Sequence, residues 1–216
     1  MLAFLRTTCL LIVFVFTLGS QLTGSATIPA DRMAVAYQLY SRLVPFGEAA
    51  RPDWPHDLLL IEDSTITIVP PDRKCDDPQI ELNPHVAVQP TRDRRQDYEE
   101  ILQDFDRHCH DRIILGRSGF KLSHQFRLLG ANEQKEFEEY RSNRAQAHDS
   151  AIAAKYTGAG ALFAFSEVYL NGHHTVALLY ATDWCGSLCG HGLWLAFALD
   201  HGQWKSLNWN SSFWIS

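Results

Sequence analysis

Asp183-Trp184-Cys185-Gly186-Ser187-Leu188-Cys189-Gly190-His191-Gly192 is the stretch whose reading decides the fold. It separates residues 175–182 from residues 193–199, two runs of strand-forming apolar residues. Glycine reaches φ > 0 without a Cβ clash, so Gly186, Gly190 and Gly192 let the chain turn back tightly between them. Working outward, residues 162–170 form an earlier strand, followed by the turn Asn171-Gly172-His173-His174. After residue 199 comes the turn Asp200-His201-Gly202, then strands at 203–209 and 213–216. Short connections make neighbouring strands antiparallel, so residues 161–216 read as a meander. Trp194 alternates with Leu193, Leu195 and Phe197, so both faces of that strand are apolar and both need cover.

The residues before the meander read mainly as helices. Asp31 is a plausible N-cap, and Val35, Leu39 and Leu43 share one helical face until Pro45 and Gly47. Pro52, Trp54 and Pro55 mark a loop. Residues 58–61 are a buried strand that residues 64–69 extend by alternation, and residues 70–90 are a loop carrying Cys75. In residues 92–109, Tyr98, Ile101, Leu102, Phe105 and Cys109 form an apolar stripe, with charged residues assigned to the other side. A half-buried strand is expected at 120–128 and a helix at 132–144 anchored by Phe137 and Tyr140, while 148–160 has no clear pattern. The expectation is an α+β fold in a single domain over 27–216, with N-terminal helices packed on the C-terminal antiparallel meander of about 161–216.

The beginning of the chain sets the compartment. Arg6, the apolar run 10–16 and the small residues Gly24-Ser25-Ala26 have the form of a secretory signal over residues 1–26. A retained anchor is the alternative, although the run is short against the roughly 20 residues a spanning helix needs. The protein is therefore expected to be periplasmic or secreted, with no membrane span after cleavage. Lys+Arg 19 against Asp+Glu 25 gives a net charge of −6, which argues against nucleic acid as the partner. Cys9 leaves with the signal; Cys75, Cys109, Cys185 and Cys189 remain. An even number in an oxidising compartment points to disulfides. Of three possible pairings, Cys185 with Cys189 is the local one, which leaves Cys75 for Cys109.

The C-terminal pattern resembles a family of uncharacterised secreted bacterial proteins. The matching residues are Ser166, Val168 and Asn171; Ala177, Leu178 and Tyr180; and Cys185, Gly186, Leu188, Cys189, Gly190 and Gly192. Gly202, Trp204, Trp214 and Ser216 complete the pattern. Leu170, Leu179 and Ile215 depart from it. The resemblance covers the last quarter of the chain and implies export and a sheet, with no activity attached.

Cys185 and Cys189 could exchange disulfides, but catalytic pairs use Cys-x-x-Cys before a helix. Zinc could take Cys185, Cys189 and His191, but His173 and His174 belong at the other end of the sheet. His108 and His110 point in nearly opposite directions on a helix and would not share one metal. Ser166-Glu167 reads as a surface polar pair, and no hydrolase elbow or phosphate loop is present. Asn210-Ser211-Ser212 has only the form of a glycosylation sequon. Trp204 and Trp214 are expected in the core. The expectation is a non-catalytic binding or structural module of the cell envelope, without cofactor or metal. Its unknown envelope or extracellular ligand would meet Trp184 and His191 at the rim of the Cys/Gly loop. The alternative is a redox or zinc-dependent protein using Cys185, Cys189 and His191.

Overall fold

The structure is a computed structural model that describes residues 30–49, 57–142, 150–186, 189–211 and 213–215. The signal at 1–26, the loop at 52–55, the hairpin tip at 187–188, Ser212 and the Trp214 side chain lie outside the described residues. In chain order the elements begin α1 (Ala30–Ala49), β1 (Leu58–Glu62), α2 (Pro84–Ala87), β2 (Val88–Gln89), α3 (Arg95–His108) and β3 (Gln125–Leu129). They continue α4 (Ala131–Ser142), α5 (Ser150–Tyr156), β4 (Leu162–Phe165), β5 (Tyr169–Leu170) and β6 (Val176–Gly186). The chain closes with β7 (Cys189–Asp200), β8 (Gln203–Leu207), β9 (Asn210–Ser211) and β10 (Phe213–Ile215).

Helices accompany a mixed sheet that is mostly antiparallel. Its order is β10-β7-β6-β4-β1-β3, with β5 also on β6 and β8 also on β7. The meander expected over 161–216 is therefore only part of the sheet. β1 pairs parallel with both β3 and β4. The reason is visible in its composition. Leu59, Leu60 and Ile61 are all buried, as a strand covered on both faces must be. Other expected elements are shorter. Residues 64–69 make only isolated bridges, Ser64 to Ile114 and Ile66 to Ser166, and the strand at 120–128 is confined to β3. Conversely, α1 runs past Pro45 and Gly47 to Ala49. Residues 162–170 divide into β4 and β5, which lie in line along one edge of β6. The break between them holds Ser166 and Glu167.

The long β6–β7 hairpin keeps its register from Val176↔Ala198 to Trp184↔Gly190 and shifts at the Cys loop. Gly192 is needed where Tyr180 crosses over it, since a Cβ there would collide with the Tyr180 hydroxyl. The β7–β8 turn places His201 at φ 49° and Gly202 at φ 76°, the two positive values a tight two-residue hairpin requires. Trp194 and its even-numbered neighbours face α3. Trp194 Nε1 donates to the Leu82 carbonyl (2.8 Å), and its ring meets Phe105 edge-on. Leu179, Ala181 and Phe197 face the side of α1, where the Tyr40 ring stacks on Phe165 at 4.6 Å. Trp204 is buried on that side too.

Both expected cysteine pairs stand at disulfide distance. Their Cα separations are 5.8 Å for Cys75–Cys109 and 5.1 Å for Cys185–Cys189, within the usual span. Among the described residues no helix is long and apolar enough to cross a membrane.

Glu62, at the end of β1, is only half-exposed. Burial raises its carboxyl from 4.5 to about 7; Glu138 and Asp63 add to the rise, and Arg112 opposes it. A carboxyl raised on folding supports the fold fully below pH 4.5 and loses that support as pH climbs through about 7. Glu62→Gln should therefore match the parent protein near pH 4. By pH 8 it should exceed it by on the order of 1 kcal/mol, after allowance for solvent screening. Urea unfolding of both proteins across that range checks this, and parallel curves would refute it.

Candidate functional site

The α1 side of the sheet is incompletely covered. A cleft of about 280 Å³ lies between α1 and the sheet, at Arg42 and Leu43. Its floor is Phe163, Phe165, Leu193 and Leu195, with Arg42 and Leu43 on the helical wall. Leu193 and Leu195 are only half-buried, whereas Trp194 between them is buried on the other face. The Arg42 side chain is exposed and donates a hydrogen bond to the Trp204 carbonyl. Asp183 also lines the cleft, and across the hairpin His191 Nδ1 stands 3.3 Å from its Oδ2. An apolar floor beside a cationic wall and a few polar groups is the usual make-up of a small-molecule site, here near the small end of the size range. It suits an apolar body carrying one anionic end.

The hairpin register separates the two residues expected at one rim. His191 pairs with Asp183 on the cleft side. Trp184 pairs with Gly190 and, one residue along the strand, faces the other way. There it packs edge-on against Phe137 of α4, with ring centroids 6.0 Å apart, and is half-buried. The Cys185–Cys189 ring closes the hairpin end. Cys185 is 3 % exposed, and its carbonyl accepts a hydrogen bond from Arg141 Nε of α4 at 2.9 Å. His173 and His174 sit in the β5–β6 turn at the far end of β6, where His174 Nδ1 meets Asp31 at 3.1 Å. His108 and His110 join different groups, His110 with Cys75 and Cys109, His108 with Asp111 and Glu167.

Sequence reasoning missed a buried ionic cluster. Ser166 and Glu167, expected on the surface, are 0 % and 1 % exposed. Ser166 replaces the missing strand ladder. Its N–H donates to the Tyr180 carbonyl, and its Oγ accepts from Tyr180 N–H. Arg32, near the start of α1, reaches both buried carboxylates. Nη2 lies 2.7 Å from Asp104 Oδ1 and Nη1 3.0 Å from Glu167 Oε1. Burial works to raise the Asp104 carboxyl. Hydrogen bonds from Arg32 and the Leu170 N–H, together with the Arg32 charge, prevail and hold it below its ordinary value. At Glu167 burial wins over Arg32 and His108, and the carboxyl rises. The signal for Asp104 lay in its spacing. It follows Ile101 by three residues and precedes Phe105, inside the apolar stripe and not opposite it. The cleft carried no such signal, because its lining is assembled from α1, β4, β6, β7 and β8.

Comparison with family models, with curated proteins and with solved structures returned no match.

Proposed function

We propose that this protein is an extracytoplasmic, non-catalytic binding module that holds a small apolar ligand with an anionic end in the cleft beneath α1. The observation that carries the reading is the cleft beside Arg42, where Leu193 and Leu195 are left half-buried alongside the buried Phe163 and Phe165. An apolar surface left open in this way marks a ligand site more often than a defect of packing. Two cysteine pairs at disulfide distance support the oxidising compartment that the N-terminal sequence calls for. The ligand belongs to the envelope or its surroundings, and the Cys185–Cys189 ring serves to fix the hairpin that carries the cleft. Cys185 and Cys189 lie on the strands β6 and β7, away from the helix N-terminus that catalytic thiol pairs use, which weighs against thiol–disulfide exchange.

The test uses 1-anilinonaphthalene-8-sulfonate, an aromatic anion of fitting size. The native protein should bind it saturably, one per chain. Leu195→Arg puts a charge into the floor and should weaken binding by about tenfold or more, with an unchanged near-ultraviolet circular dichroism spectrum. Arg42→Gln should weaken it by about threefold through loss of the opposing charge. Equal binding by Leu195→Arg, or no saturable binding by the native protein, would sink the reading.

A further inference from the structure

We propose that His108, Asp111 and Glu167 together form a site for a divalent first-row metal ion, separate from the cleft. His108 ends α3, and the Asp111 N–H turns back onto the His108 carbonyl at 2.9 Å. That turn brings His108 Nδ1 to 2.8 Å from Asp111 Oδ2. Glu167 approaches from the break between β4 and β5. One ligand atom from each of the three residues lies within 4.8 Å of the other two. Ligands about 2.0–2.2 Å from a tetrahedral zinc ion stand about 3.4 Å apart, so the three share one ion once they draw in by up to about 1.4 Å.

The independent observation is Glu167 itself. It is 1 % exposed, and Oε1 is taken by Arg32. Its other oxygen, Oε2, is buried without a hydrogen-bond partner. A buried carboxylate oxygen left unpaired is costly, and a bound cation removes that cost. His108 and Asp111 supply the opening, since their side chains are 28 % and 42 % exposed. An ion can enter from solvent there and keep water in its remaining positions. Asp104 Oδ1 stands 3.8 Å from His108 Nε2, on the far side of the ring from Asp111. At that distance Asp104 attracts the imidazole by charge without a direct hydrogen bond. The charge balance also favours a cation. Among the described residues the ion-pair partners of Asp104, Asp111 and Glu167 are Arg32, Arg107 and His108 itself. One imidazole and two carboxylates suit zinc or manganese better than calcium, which takes oxygen ligands alone.

The experiment is calorimetric titration of Zn²⁺ into the metal-stripped full chain, with thermal unfolding measured in parallel. One ion per chain should bind in the micromolar range or tighter and raise the melting temperature. His108→Asn and Asp111→Asn alter only partly exposed side chains and should each weaken binding by about 100-fold. Glu167→Gln should do the same, and His110→Ala should leave the titration unchanged. If His108→Asn with Asp111→Asn binds zinc like the parent, or if the parent shows no binding below millimolar concentration, the proposal fails. Glu167 would then be held by a proton.

Discussion

Arg32→Met is expected to lower the unfolding free energy by about 3–5 kcal/mol at pH 7, the usual loss when one partner of a buried ion pair is removed. The side chain fits the space of the arginine stem, so the effect comes from charge. Arg32 is the shared partner of Asp104 and Glu167, and its Nη1 also reaches the Val168 carbonyl at 3.4 Å. Without it two carboxylates stay behind, buried under α3. The pH dependence identifies the cause. Asp104 is held below its ordinary 3.8, so in the parent it supports the fold above that pH and loses this support as pH falls through its folded value. In the variant only the Leu170 N–H and Arg107 still act against protonation of Asp104. The gap between the two proteins should therefore narrow from pH 7 toward pH 4, as the stranded carboxyls take up protons. Arg32→Lys, which cannot fork to both carboxylates, should fall between. Urea unfolding at the two pH values measures this. A deficit under about 1 kcal/mol at pH 7 would mean that the cluster is not a buried charge network.

The second large effect is expected from Cys75→Ala with Cys109→Ala. The two cysteines are 34 residues apart, and closing a loop of that length contributes about 4 kcal/mol by chain entropy, against about 2 for the short Cys185–Cys189 ring. For a chain of this size the melting temperature should fall by roughly 8–16 °C. The segment that would be released is also held by side chains. Asn83 Nδ2 donates to the Cys75 carbonyl at 2.6 Å, and Trp194 reaches the Leu82 carbonyl. If those bonds alone fix the segment, the loss in a calorimetric scan will be under about 1 kcal/mol, and the chain-entropy account is wrong for this pair.

How far the sequence could be read depended on how local each signal was. The β6–β7 hairpin, the α3 stripe and the two cysteine pairings were legible because alternation, helical spacing and loop chemistry act over a few residues. β1 as a sheet member was half legible: four consecutive apolar residues betrayed a strand covered on both faces, but not that it pairs with β3 and β4. Ser166-Glu167 misled, since two polar residues in a row look solvated until Arg32, from 135 positions earlier, arrives to pair with Glu167. The partner of Trp184 was not legible either. Its neighbours in the chain are a polar loop, and the phenylalanine that covers it comes from α4. Charge pairing and cover are long-range properties, and spacing within one element cannot express them.

The place of β1 in the sheet has a kinetic consequence. It lies between β3 and β4, so the first strand of the chain finds its two neighbours only after residues 125 and 162 have been delivered. The β6–β7 hairpin can close early from its own contacts, but the parallel half must wait, and pairings so distant in sequence form slowly. The middle of the sheet is therefore expected to form after its hairpin edge.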